Sequence, residues 1–140
     1  MPARLVLYDR ECRFCRWSLG WLLRWDRRRA LEPVALQDQR AAELLSALSA
    51  QRRMASWHLV LVDGSVVSAG GAAAPLLRAL PGGAPFARLL ERTPRIVEGV
   101  YRWIAANRGR LGRLLRESGV ARADELIAER ELRRAAEPLP

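Results

Sequence analysis

Lysine is absent from this chain. All 24 basic residues are arginine, and with 15 acidic residues the net charge is +9. Rich in arginine and alanine and free of lysine, the sequence reads partly as high-GC coding, although its positive field still attracts anions. The arginines are spread along the whole length and no base-reading motif gathers them, so no specific nucleic-acid binding is expected. Cysteine and histidine are nearly absent as well: two and one, respectively. Two cysteines are too few for the multi-bridge scaffold of a small secreted domain. Cys12, Cys15 and His58 together fall short of a four-ligand metal site, and neither a metal nor an organic cofactor is implied. Long apolar runs are missing too. Trp57–Val62 and Leu19–Leu23 are far shorter than the roughly 20 residues of a membrane-spanning helix, so no membrane span is expected. Leu5–Tyr8 is too short for a signal-peptide core and stops at Asp9, which leads us to expect a cytoplasmic protein. No internal repeat is visible, and nothing in the sequence points to an oligomeric state.

Half of the residues are apolar, enough for the core of one domain spanning residues 1–140. Arg4–Tyr8 is short, β-prone and nearly all apolar, the pattern of a buried parallel strand. Asp9-Arg10-Glu11 is a loop. From Cys12 to about Arg27 the pattern is helical. Trp17, Trp21 and Trp25 recur every four residues beside Leu22, which predicts a core-facing stripe. A strand is expected at Pro33–Leu36, then a helix over Gln39–Ala50 capped by Asp38, with Ala41, Leu44, Leu45 and Leu48 on its apolar side. Trp57–Val62 and Ser65–Ser68 flank Asp63-Gly64, a hairpin turn whose two positions tolerate φ > 0. Helices follow at Ala72–Leu80, at Pro85–Glu91 and from Thr93-Pro94 to about Asn107, the last with Ile96, Val100 and Ile104 on one face. Beyond Gly109, short amphipathic helices are expected at Leu111–Leu115 and Ala123–Ala135, and Glu137–Pro140 are expected to fray. Strand, helix, strand, helix, hairpin, helix is the order of a thioredoxin-like α/β fold. The expected core covers residues 4–82, and a C-terminal helical extension covers residues 84–136.

Cys12-Arg13-Phe14-Cys15 is a Cys-x-x-Cys motif, placed where the first strand ends and the first helix begins. Unpaired N–H groups and the helix dipole favour an anion there. The thiolate is the reactive form of cysteine, so this placement activates Cys12. Cys12 is the expected nucleophile and Cys15, one turn into the helix, the expected resolving thiol. Arg10, Arg13 and Arg16 add positive charge, while Asp9 and Glu11 subtract some. Asp9 is the candidate orienting or proton-accepting carboxylate, and Arg13, Phe14 and Ser56 are the candidate substrate contacts. The segment Met54–His58 precedes the third strand, opposite the start of the first helix, which brings Ser56 toward the cysteine pair. Trp57 and His58 must point to opposite faces, so at most one of them lines the site. An imidazole there could accept a thiol proton, whereas a packed scaffold histidine is the plainer assignment. The expected activity is thiol–disulfide exchange with a protein or small-molecule thiol or disulfide. The alternative is a non-catalytic thioredoxin-like module whose basic surface binds an acidic partner or nucleic acid.

The stretch Tyr8-Asp9-Arg10-Glu11-Cys12-Arg13-Phe14-Cys15 resembles the signature of the DCC family of thiol–disulfide oxidoreductases, Asp-x-x-Cys-x-x-Cys after an N-terminal strand. Asp9, Cys12 and Cys15 match it one for one. Val34–Gln37, His58–Gly64 and Val100–Arg108 are similar to the family's second strand, hairpin and C-terminal helix. The resemblance covers about Arg4 to Leu115 and implies a thioredoxin-like fold and a redox role. Two departures stand out. Arg10 replaces a glycine common in the family, and no proline lies between Leu36 and Ala74, where thioredoxins place a cis-proline facing the cysteines.

Overall fold

In the computed structural model, which describes residues 4–136, the apolar run Arg4–Tyr8 forms strand β1. The chain then forms helix α1 (Arg13–Trp25) and returns as β2 (Leu31–Ala35), parallel to β1 with Val6 opposite Pro33. β2 begins earlier than the expected Pro33. The Asp26 carboxylate fixes its start by accepting the Ala30 and Leu31 amides at 3.0 and 2.9 Å. Pro33 sits within a sheet-edge strand, where a missing N–H is tolerated.

The single helix expected over Gln39–Ala50 is instead two, α2 (Gln39–Leu44) and α3 (Ala50–Ala55). Ser49 divides them: its hydroxyl caps α3 by accepting the Arg52 amide at 3.3 Å, the competition with helix continuation that serine side chains offer. Asp38 stands at the N-cap of α2 but makes no side-chain capping bond, because its carboxylate is turned to Arg10 at 3.0 Å. Strands β3 (His58–Val60) and β4 (Val66–Ser68) form the expected hairpin, shorter than the apolar runs. Gly64 adopts φ +86° in its turn.

A 3-10 turn at Ala69–Ala72 leads into α4 (Ala73–Ala79), followed by α5 (Ala84–Arg92), α6 (Pro94–Leu114) and α7 (Glu117–Ala136). Leu111–Leu115, expected as a separate helix, is the end of α6, which runs straight through Gly109. A lone glycine costs a helix only about 1 kcal/mol, too little to stop one held by packing. Glu137–Pro140, expected to fray, lie outside the described residues.

The four strands are ordered β2-β1-β3-β4, with β1 and β2 parallel and β3 antiparallel to both β1 and β4. This mixed sheet, with the first helix crossing between its parallel strands, is a thioredoxin-like α/β fold. Side chains alternate across it. Val6, Tyr8, Leu31, Ala35 and Leu59 face α1, α4 and α7, where they meet Leu19, Leu23, Leu76 and Ile127. Leu7, Val34 and Val60 face α2, where they meet Ala41 and Leu45. No helix among the described residues is long and apolar enough to cross a membrane.

The tryptophan stripe is not the buried face of α1. Leu19, Gly20 and Leu23 are buried, while Trp21 and Trp25 are 54% and 37% exposed. Gly20 explains the exchange: a Cβ built there would collide with Ala123 of α7, so the two helices cross backbone to side chain with no room for a ring. The stripe is pushed to the rim of that contact. Of the stripe expected on α6, Ile96 and Val100 are exposed, whereas Ile104 faces the rest of the molecule, on a side that also carries Tyr101, Ala105 and Arg108.

Candidate active site

The turn between β1 and α1 is held by hydrogen bonds to Asp9. Its backbone carbonyl accepts the Cys12 amide at 3.2 Å, and its Oδ1 accepts the Glu11 amide at 3.0 Å and Gln37 Nε2 at 2.7 Å. Gln37 in turn accepts the Arg10 amide through its Oε1 at 3.1 Å. Arg10, which stands where the related family commonly has glycine, needs no glycine-like backbone: the non-glycine residues with positive φ among those described are Arg29 and Ala69. Cys12 is the N-cap of α1, with extended backbone (φ −88°, ψ 108°), and its Sγ accepts the Cys15 amide at 3.2 Å. An N-cap side chain satisfies one of the amides that the first turn leaves without a helical partner, and here the acceptor is sulfur. Cys12 and Cys15 are joined as a disulfide, their Cα atoms 5.2 Å apart.

The three arginines expected to bias the site are each engaged elsewhere. Arg10 pairs with Asp38, and Arg16 pairs with Asp124 at 3.1 Å. Arg13 folds back over the end of α6, donating from Nε to the Gly112 carbonyl at 2.9 Å, from Nη2 to the Leu115 carbonyl at 3.0 Å and from Nη1 to Glu117 at 2.7 Å. The last carbonyls of a helix lack partners, and a guanidinium fork satisfies several at once. Arg13 is therefore a clamp between α1 and α6 and not part of the cavity wall beside the cysteines.

Beside the cysteines lies a groove of about 460 Å³, bounded by α1, α4, α6, the end of β1 and the residues before β3. Cys15, Phe14, Asp9 and Ser56 all line it, so four of the residues singled out from the sequence come together there. Trp57 lines it as well, and His58 does not. His58 is 1% exposed on the opposite face of the sheet. Its Nε2 donates to the Arg53 carbonyl at 3.0 Å, so Nδ1 carries no proton and accepts from the Ser68 hydroxyl. Burial lowers its pKa below the ordinary histidine value, against the opposing effect of the Arg53 carbonyl. His58 is scaffold, as strand alternation requires once Trp57 takes the groove side.

Several wall residues were not placed in the site by the sequence, among them Trp17 and Trp21 of α1 and Tyr101, Ile104 and Arg108 of α6. The Tyr101 hydroxyl accepts the Trp57 amide at 3.3 Å, and burial raises its pKa above the usual tyrosine value. The spacing Tyr101, Ile104, Ala105, Arg108 is one helical face and is the sequence signal for the α6 wall, beside the more apolar stripe of Ile96, Val100 and Ile104. Tyr8, at the end of β1, also borders the groove. Its hydroxyl donates to Glu131 at 2.8 Å, and burial followed by that carboxylate raises its pKa. Among the described residues no group of three or more histidine, cysteine, aspartate or glutamate side chains could hold a metal ion.

A thioredoxin-like sheet with a Cys-x-x-Cys disulfide at the N-cap of its first helix defines the class of protein. The chain belongs to the DCC1-like thiol-disulfide oxidoreductase family, whose profile matches residues 6–114. That span includes both cysteines and the groove wall on α6. Searches of curated proteins and of solved structures returned no match.

Proposed function

We propose that this protein catalyses thiol–disulfide exchange, with Cys12 as nucleophile and Cys15 as resolving thiol. The observation that carries the reading is the Cys12–Cys15 disulfide at the N-cap of α1, with Cys12 Sγ accepting the Cys15 amide. In the dithiol form that amide and the helix dipole stabilise a Cys12 thiolate. The thiolate attacks one sulfur of a substrate disulfide. The substrate S–S bond breaks, one substrate thiolate leaves and takes up a proton, and a mixed disulfide joins Cys12 to the other half. Cys15 then loses its proton and attacks Cys12 Sγ. The mixed disulfide breaks, the second substrate thiol departs, and the Cys12–Cys15 bond is restored. The substrate gains two electrons and the protein loses two; with a dithiol substrate every step runs in reverse. Asp9 holds the turn that presents Cys12, and its carboxylate borders the groove. A role for it in taking the Cys15 proton completes the reading.

The test is trapping. In cells, a Cys15→Ser variant should accumulate mixed disulfides through Cys12, and a Cys12→Ser/Cys15→Ser variant should accumulate none. Alkylation of the reduced protein against pH should show Cys12 reacting first, with a pKa below the ordinary value of about 8.5. Faster reaction at Cys15, or a Cys12 pKa at or above the ordinary value, would reverse the assigned roles. Full tolerance of Cys12→Ser in a functional assay would replace the enzyme with a binding module.

A further inference from the structure

The groove beside Cys15 has a composition that exchange chemistry alone does not call for. Its walls are Trp17 and Trp21 of α1, Leu76 of α4, Ile104 of α6 and Trp57 before β3. Phe14 and Trp17 lie with ring centroids 6.0 Å apart, and Trp17 meets Trp21 edge-on at 6.2 Å. A volume of about 460 Å³ lies within the range of small-molecule sites, about 300–1,000 Å³.

One cation borders this apolar space. Arg108 is half-buried on the groove side of α6, and no carboxylate lies within 4.0 Å of it among the described residues. It stands one helical turn before Gly112, where a built Cβ would lie 3.5 Å from the Phe14 amide nitrogen. Arg108 is therefore at the cysteine end of the groove. The carboxylate that shares the groove, Asp9, has its Oδ1 occupied by the Glu11 amide and Gln37. A partly desolvated guanidinium without a counter-ion is costly, and an anionic ligand would remove that cost.

A polypeptide substrate that bound by adding a strand would need a free sheet edge in the groove. The groove offers none: β3 is flanked by β1 and β4, and the Trp57 amide is occupied by the Tyr101 hydroxyl. Recognition is left to shape, aromatic contact and one positive charge.

We propose that the exchange partner is a small amphipathic thiol or disulfide: an aryl or alkyl body in the groove, a carboxylate on Arg108, and its sulfur at the Cys12–Cys15 pair. This rests on the exchange reading above and specifies its substrate class. With a dithiol of this class, a substrate thiolate attacks the protein disulfide and the Cys12–Cys15 bond breaks. The second substrate thiolate displaces the protein sulfur from the mixed disulfide. The substrate leaves as a disulfide, and its two electrons and two protons reside on Cys12 and Cys15.

The test uses the full-length protein in two measurements. The first is turnover, with dithiothreitol as reductant, of bis(carboxynitrophenyl) disulfide, uncharged dithiodipyridine and a disulfide-containing polypeptide. Arg108→Gln should lower kcat/KM for the carboxylate-bearing disulfide about tenfold more than for dithiodipyridine. Arg102→Gln, the same charge change on an exposed position of α6, should alter neither. The second is binding of sulfur-free phenylbutanoate and phenylbutanamide to the oxidised protein, followed by tryptophan fluorescence. The acid should bind about tenfold more tightly than the amide, an advantage lost in Arg108→Gln.

Turnover with no Arg108-dependent preference, or equal affinity for acid and amide, overturns the proposal and leaves the exchange reading standing. Faster turnover of the polypeptide than of both aryl disulfides also overturns it, in favour of a protein substrate. Tight binding of the acid with no turnover of any disulfide overturns the exchange reading, and the substrate role assigned to the groove falls with it.

Discussion

At the C-terminal end of α1, Asp26 is sealed from solvent and accepts three hydrogen bonds, from the Ala30 and Leu31 amides and from Arg130 of α7 at 2.9 Å. Arg130 also donates to the carbonyls of Leu23, Asp26 and Leu31. At the N-terminal end, Cys12 accepts one amide through a weakly accepting sulfur, is partly exposed, and is bonded to Cys15, which lines an open groove. One helix is thus locked at one end and chemically available at the other. The locked end joins α1, β2 and α7 through groups whose loss would strand a buried charge. At the available end the fold is held by Arg13 and Arg16, which are tied to α6 and α7, and the Cys12 sulfur itself carries little of it, so that sulfur is free to change partners, as exchange requires. Rigidity at one end positions chemistry at the other.

The sharpest way to break this comparison is Cys12→Ser. Exchange should fall to the uncatalysed background, while the urea midpoint under reducing conditions moves little, because serine is itself a good N-cap. A large loss of stability would mean that the active end also holds the fold.

The converse at the locked end is Arg130→Ala, which should lower the unfolding free energy by about 3–5 kcal/mol by leaving Asp26 buried and unpaired. Glu129→Ala, removing an exposed carboxylate 3.9 Å from Arg29, is the control and should cost well under 1 kcal/mol. Equal effects from the two would remove the distinction drawn between the ends of α1.

Between the two ends, Gly20→Ala places a methyl against Ala123 and should cost about 1–3 kcal/mol by overpacking. Ala123→Gly in the same chain should recover part of that loss if the close α1–α7 crossing is its cause. Denaturant unfolding of the single and double variants reads this directly.

The smallest expected effect concerns His58, on the far side of the sheet. Its folded pKa is lowered by burial. Above the ordinary value of about 6.5 it is neutral whether the chain is folded or unfolded. As pH falls through that value the unfolded chain takes up a proton that the folded chain resists, so stability is lost on the acid side. Between pH values of about 7.5 and 5.5, wild type should lose up to roughly 1 kcal/mol more than His58→Gln. Parallel pH profiles for exchange in the two proteins would agree with a scaffold role, and a His58-dependent shift in the exchange profile would return this residue to the site.

Much of the site was legible locally. A strand, a short loop and a helix start place Cys12 at an N-cap through neighbouring residues alone, and Asp63-Gly64 forms its turn by backbone preference. Ser56 came near the cysteines through the element order. In α1 the most aromatic face is not the buried face. Trp17, Trp21 and Trp25 share one side of α1, as their spacing demands, yet Gly20 and Ala123 set the close crossing that moved this stripe to the rim. The end of α6 was a separate difference: the helix expected to finish near Asn107 runs on to Leu114, because packing outweighs the modest helix cost of Gly109.

The sequence by itself determined the succession of strands and helices along the chain, the Cys-x-x-Cys pair at a helix start and the opposite orientations of Trp57 and His58. Each follows from local periodicity or from contacts a few residues apart. Only the tertiary structure decided that Trp57 takes the groove side, that Arg13 clamps α6, that Arg130 reaches Asp26 across 104 positions, and that Arg108 shares a groove with Cys15. Those outcomes depend on which helix covers which face. That choice is made by close packing between distant segments, and periodicity within one segment carries no information about its neighbour.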